Sequence, residues 1–550
     1  MTQIACDVLV IGGGAAGSRA AREAKKAFPE LDVAVAVSGV YEAGGSTNMV
    51  ASEALGINAP YDLMGDGDNA DVYYSDMMQT GGGLGDPILC RILADESADR
   101  VTELMELGLQ FHGENGHPIQ QKLSGCTRAR SLTCGGSTGR EIVRVLKQDM
   151  VERGVRIFEN VSIYELCLSE NGEVCGAHGL SGTEEILFSA KSVVLATGGA
   201  ASVFKTNVTP PTQSGDGWAM AYDAGCRFVN MEFFQIGPAV TNLKMKFIIH
   251  SHMWRLNPRL TNRDNKEFLQ DYCDPGVTPR EALDLKAMSY PFSVRTAAKY
   301  VDIAIFKEIM AGRGTSSGGV YFDVTHVPKE VLEQRAPITY ETLLSAGLDL
   351  SLKPLELGLA VQNFNGGILI DGNGFTGVKG LYAAGEITGG VHGSDRPGGN
   401  NLTDTQVFGY RAGRGAAAYA QNCEHAARPV IANTYSSQLT DKDKETMLRC
   451  SELFYRNLTV VRTGDGLQET LRFIEENLHS TSCLQLHNRL LVGKILATVM
   501  LARKESRGTH YRDDFRETDP QFGIRFILQK GTDGTLKLSN QWGFSMSQNL

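Results

Sequence analysis

Apolar residues run from Ala5 to Ile11 and stop at Gly12-Gly13-Gly14-Ala15-Ala16-Gly17. Ser18 to Phe28 then shows helical spacing, and Asp32 to Val37 is apolar again. This predicts a strand, a tight turn, a helix and a second strand. Residues 89–110 and 138–152 carry apolar positions at helical spacing. Short runs at 155–163, 163–168 and 173–179 predict an antiparallel excursion, with turns at Asn171-Gly172 and Gly179 to Gly182. The run 191–197 is almost continuously apolar and ends in glycines, as a parallel strand buried on both faces would.

The texture changes over 238–354, which contains a basic, aromatic stretch from Lys244 to Arg263, a helical run at 294–311 and a glycine-rich turn at 312–319. It reads as an inserted domain. Residues 366–385 return to the first texture, 404–422 predict a helix, 430–504 are charged and helical, and a polar, aromatic tail follows from 505.

Composition narrows the function classes. A chain of 550 residues builds several domains. Its 53 Lys plus Arg against 63 Asp plus Glu give a net charge of -10, which argues against a nucleic-acid footprint. The 62 glycines amount to about 11 %, where about 7 % is usual, and they cluster as ligand-lining backbone does. Eleven scattered cysteines without a CxxC pair predict a reducing compartment, no metal site and no cluster held by this chain. No apolar stretch reaches the ~20 residues a membrane span needs. The start of the chain has no basic, apolar and cleavage-site pattern, so the expected location is cytoplasmic, without direct membrane insertion.

Gly12-x-Gly14-x-x-Gly17 between strand and helix is a dinucleotide fingerprint. The first glycine allows the turn, the second lets backbone approach a pyrophosphate, and the third permits helix–strand packing. An acid usually ends the second strand and holds a ribose; Ser38 stands there, offering a single hydrogen bond, and Glu42 lies beyond. Further backbone-rich turns occur at Gly44-Gly45-Ser46-Thr47 and Ala196-Thr197-Gly198-Gly199.

With SGDGWAMAYDAG at 214–225, MEFFQ at 231–235, GLYAAGE at 380–386, VHGSDRPGGNNLTDTQVFGYRAG at 391–413 and ESRGTHYRDDF at 505–515, the sequence resembles the flavoproteins of the fumarate reductase and succinate dehydrogenase superfamily. That superfamily includes L-aspartate oxidase and the alpha chain of adenylylsulfate reductase. The resemblance implies an α/β fold: a Rossmann-like FAD-binding domain (1–237 and 355–429) interrupted by a capping domain (238–354), then a helical C-terminal domain (430–504) and a small C-terminal region (505–550). It implies FAD held by Gly12, Gly14, Ala15, Ala16, Gly17, Ser38, Gly45, Ser46, Thr47, Thr197, Gly198, Asp216, Gly385, Glu386, Asn401 and Leu402. Thr47 stands where several members carry a covalent histidine, so the FAD is expected to be non-covalent.

The implied chemistry is hydride transfer between flavin and a C=C or CH–CH unit of a small-molecule organic acid or carbonyl compound. The alternatives are sulfur-oxyanion or amino-acid oxidation, or a non-catalytic role in electron relay. Arg396 matches the carboxylate-clamping arginine, since a guanidinium grips a carboxylate with two bonds. His392 either donates to substrate or fixes the loop. Two expected histidines are replaced, by Gly237 and by Gln362 or Asn363, so the pocket is less cationic than one for a C4 dicarboxylate. The proton-donating arginine falls on Ala298 by counting; Arg295, nearly one turn earlier, is the expected donor, with Lys299 and Tyr300 as alternatives. His250 and His252 alternate as on one face of a strand and either face the pocket or are structural. With no second nucleotide motif, electrons are expected to come through a separate iron–sulfur or other electron-transfer subunit.

Overall fold

The computed structural model describes residues 1–49, 55–114, 117–423, 430–431, 436 and 438–542. The expected boundary at residue 429 lies outside them. The opening strand, Thr2–Ile11, lies inside a seven-stranded sheet between Val33–Ala36 and Glu184–Leu195, parallel to both. Arg156–Phe158 extends it on one side, again in parallel. On its other edge the long strand Glu184–Leu195 serves two further partners. Its first half pairs antiparallel with Val174–Ser181, which pairs with Val161–Leu168, and its last residues run parallel to Leu381–Ala383. The parallel strands end on one edge, at Ile11, Ala36, Leu195 and Ala383. Ligands of open α/β sheets bind at that edge.

Helix Ala15–Ala27 packs along helix Asn400–Gln421. The approach is close because the second helix offers glycines: a Cβ at Gly413 would lie 2.2 Å from Ala20 O. Strands within the expected insert and at its two ends form an antiparallel sheet in the order Phe234–Val240, Leu355–Phe364, Val320–Asp323, Arg259–Thr261. The adjacent strands Phe234–Val240 and Leu355–Phe364 stand at the two ends of that segment. The charged region folds as three helices, Asp441–Leu458, Gly464–Leu478 and Leu484–Ala502. The tail is a hairpin, Ile524–Lys530 with Leu536–Trp542, joined to Phe228–Val229. Arg503 fastens this end, bonding Glu232 and Glu505 at 2.7 Å each, with all three side chains buried.

Four element readings are corrected. The first run of the expected antiparallel excursion, 155–163, instead supplies the parallel edge strand Arg156–Phe158. The helix expected from 404 starts at Asn400, because Gly399 at φ +85° turns the chain directly into it. The helix expected from 294 starts at Lys299, and Val294 N–H instead donates to Gly508 O at 2.8 Å. The stretch with alternating histidines is a helical turn, Ser251–Trp254, not a strand. It buries the adjacent Met253 and Trp254, which strand alternation would place on opposite faces.

Candidate active site

A cleft of about 460 Å³ opens at the carboxyl ends of the parallel strands and continues beneath the cap sheet. Its first end is built of backbone. Gly12 has φ +110°, and a Cβ there would lie 2.3 Å from Ala196 O. A Cβ at Gly17 would lie 1.9 Å from Gly12 O. These contacts seat helix Ala15–Ala27 against the strand end with its N-terminus toward the cleft. Gly14 caps that helix without a side-chain bond, leaving amides for an anion. Thr47 Oγ1 reaches Ala15 N at 3.4 Å. Ser46 Oγ and Thr197 Oγ1 are buried without a hydrogen-bond partner among the described residues. Such groups require one from a ligand or water.

Ser38 is exposed at the end of its strand and borders the cleft. Glu42 lies past it at φ +66°, with Lys147 Nζ 3.0 Å away. Asp216 opens helix Asp216–Asp223 and accepts from Asn488 Nδ2 at 2.8 Å. Glu386 accepts from Phe364 N at 3.2 Å and from Gln213 Nε2 at 3.3 Å. Burial pushes its carboxyl up to about 7.

The second end is built of side chains. Arg396 is half-buried and donates to Gln235 Oε1 at 2.6 Å and to Pro397 O at 3.1 Å. Its Nε is buried and unpartnered. Burial lowers the guanidinium to about 10. Gln362 Nε2 donates to Tyr290 Oη. Burial holds the tyrosine hydroxyl above its ordinary range, so it stays protonated. The His250 ring lies 5.0 Å from that of Tyr290. Burial, with His252 nearby, lowers His250 to about 3, so it is neutral. Asn401, in the first turn of helix Asn400–Gln421, donates to Asn363 Oδ1 at 2.6 Å. Asp404, on the same helix, is pushed up to about 7 by burial.

Most of the expected cofactor positions line this cleft: Gly12, Gly14, Ala15, Ala16, Ser38, Gly45, Ser46, Thr47, Thr197, Gly198, Asp216, Glu386, Asn401 and Leu402. Gly17 and Gly385 stand behind the lining, where they allow close packing; a Cβ at Gly385 would lie 2.7 Å from Ala16 Cβ. Of the expected catalytic side chains, Arg396 and Gln362 line the cleft. His392 is buried outside the lining, and burial followed by Arg396 keeps it neutral. His252 bonds Thr339 Oγ1 at 3.1 Å. Arg295 pairs with Asp395 at 2.9 Å, also outside the lining. Lys299 and Tyr300 border a separate polar cavity near Tyr511. Sequence reasoning gave no role to Gln235, Tyr290 or Asp404. Gln235 and Asp404 lay in quoted motifs; no local signal marks Tyr290.

The glycine cradle, the uncapped helix N-terminus and the orphaned hydroxyls suit a long dinucleotide, and the residues fit FAD. Among the described residues no helix is long and apolar enough to cross a membrane. Residues 7–402 match the family profile described as "FAD binding domain", and 474–540 match "Fumarate reductase flavoprotein C-term". The chain is 33 % identical to a subunit of the fumarate reductase (CoM/CoB) of Methanothermobacter marburgensis, over 96 % of this chain and 97 % of that one. It is 27 % identical to the L-aspartate oxidase of Vibrio cholerae, over 95 % and 98 %. The structure of Mycobacterium smegmatis Sdh1 in complex with UQ1 superposes with a TM-score of 0.84 at 29 % identity, covering 98 % of this chain and 94 % of that one. The chain belongs to the family of fumarate reductase and succinate dehydrogenase flavoproteins and is an FAD-dependent oxidoreductase.

Proposed function

We propose that this flavoprotein interconverts a C=C and a CH–CH unit in a small organic acid whose carboxylate is held by Arg396. One observation carries the reading. Arg396 is the sole arginine or lysine among the described residues lining the cleft, and it makes no ion pair there. A half-buried guanidinium whose Nε is shielded from water and which has no carboxylate partner among the described residues is satisfied by an anionic ligand. The names of the two relatives, a fumarate reductase and an L-aspartate oxidase, support a small carboxylic acid.

FAD supplies the hydride chemistry when bound. The residues that would hold it are the Gly12–Ala16 turn, Ser46, Thr47, Thr197, Glu386 and the Asn401 turn. A threonine at position 47 has no ring nitrogen for a flavin bond, which supports non-covalent attachment. Arg396 orients the acid and stabilises charge developing on its carboxylate. Arg295 acts as a positioning residue: it holds Asp395, next to Arg396 in the loop. We place the electron route in a separate iron–sulfur or other electron-transfer subunit; the Methanothermobacter relative is itself named as one subunit of its enzyme.

The test begins with acid precipitation, which should release all the flavin. The enzyme is then reduced with an artificial donor and mixed with a panel of unsaturated acids in stopped flow. At least one should reoxidise the flavin rapidly. Arg396→Lys should keep the flavin but lower kcat/KM about 10²-fold, because lysine lacks the two-bond grip. The reading fails if no unsaturated acid outpaces a buffer control.

A further inference from the structure

The strand pair at the floor of the cap carries a bulge. Gln235 faces Asn363 and Ile236 faces Val361, so Gln362 is the extra residue. Bulges re-aim a side chain beside functional sites. Here the bulge brings Gln362 over Gly237, where a Cβ would meet Gln362 Nε2 at 2.0 Å and Tyr290 Oη at 2.5 Å. The strand thus leaves a space beside its own backbone, and two residues from distant segments fill it. Gln362 donates its amide hydrogen to Tyr290 Oη, so the hydroxyl hydrogen remains for another acceptor. Both residues line the cleft. His250, also lining it, has a buried Nε2 without a partner.

The charges around this chamber are unequal. Arg396 is its one cation among the described residues, while the carboxyls of Glu386 and Asp404 line the cleft near enough to act on it. One carboxylate on a ligand matches Arg396. A second would lose its water against neutral donors and gain no cation, and buried charge without a partner is strongly disfavoured. An uncharged carbonyl oxygen meets no such penalty and accepts a hydrogen bond from Tyr290.

We propose that Tyr290 and Gln362, aimed by the bulge at Gly237, select substrates whose second polar group is an uncharged carbonyl (an amide, ester or ketone) rather than a second carboxylate. This rests on Arg396 as the clamp for the first carboxylate. It assigns Tyr290 a substrate contact and Gln362 the task of orienting its hydroxyl.

The experiment titrates the oxidised holoenzyme at about pH 8, where carboxylates are ionised. The probes are the trans-butenedioate dianion and its monoamide, followed through the flavin difference spectrum. The monoamide should bind about tenfold tighter or more. Tyr290→Phe should bring the two dissociation constants to within about threefold by weakening the monoamide alone. Gly237→Ala, which drives a methyl into the pair while removing no polar group, should do the same. Flavin content of each variant reports that it is folded. Tighter binding of the dianion by the wild type, or equal weakening of both ligands by Tyr290→Phe, overturns the inference. If the dianion binds tighter and also reoxidises the reduced flavin, the selectivity is wrong while the C=C reading stands. If neither probe binds nor reoxidises the flavin, the selectivity is wrong, and the C=C reading falls with it only if no other unsaturated acid of the panel reoxidises the flavin.

Discussion

The two ends of the cleft are made in opposite ways. At the dinucleotide end the fit depends on side chains that are missing: Gly12 and Gly17 leave room where a Cβ would come within 2.3 and 1.9 Å of backbone oxygen. At the substrate end it depends on side chains that are present, Gln235, His250, Tyr290, Gln362 and Arg396, brought from segments far apart in sequence. The first end has almost no tolerance for change, because backbone cannot move aside. The second can be altered residue by residue, so selectivity can change there while the cofactor stays.

That contrast breaks most visibly at Gly17. Gly17→Val would force a branched side chain into Gly12 O, separating the helix from the strand end. We expect protein without bound flavin, or none folded; stoichiometric FAD absorbance in the purified variant would show that this contact does not build the cradle.

The next effect tests what lies under the substrate end. Lys286 and Asp302 form a fully buried ion pair at 2.6 Å, with Lys286 Nζ 5.6 Å from the Tyr290 ring. Asp302→Asn leaves the ammonium unpaired and should cost about 3–5 kcal/mol in denaturant unfolding. The folded fraction should retain FAD, since the nucleotide end does not touch this pair. An unchanged midpoint would refute the buried-pair account.

A smaller effect separates clamp from support. Arg295→Gln should lower kcat/KM by about tenfold with flavin content intact, as expected for a residue acting through Asp395. Arg295→Lys, which keeps a charge for Asp395, should recover part of the loss. A kcat loss of about 10³-fold or more, unrelieved by lysine, would instead mark Arg295 as the proton donor itself.

The smallest effect is a matter of pH. Asp404 rises from 3.8 to about 7 through burial, so the folded chain binds this proton more tightly than the unfolded one. Its contribution to stability is therefore full below about pH 4 and is lost as pH rises through about 7. Asp404→Asn should leave the flavin-free protein nearly unchanged at about pH 4 and stabilise it at about pH 8. Equal effects at both pH values would mean that titration of Asp404 is not the cause.

The sequence by itself determined the elements whose reasons are local. The Gly12–Gly17 turn was legible because strand, glycine spacing and helix are contiguous. The helix Thr138–Glu152 matched its expected span within a residue at each end, because helical spacing is a short-range property. The cofactor end followed, since glycines needed for close approach announce themselves by type. Tertiary structure decided the substrate end. Asn400 is helical rather than looped because Gly399 turns at positive φ and Asn400 Oδ1 accepts from Asn58 Nδ2 and Tyr73 Oη, from segments over 300 residues away. Nothing near Tyr290 signals that it meets Gln362, which a bulge 72 residues later aims at it. Nor does counting from Gly312 place Arg295, which is held by Asp395, 100 residues on. Local pattern encodes the hydrogen bonds of neighbours; a pocket of side chains is set by which strands and loops pack together.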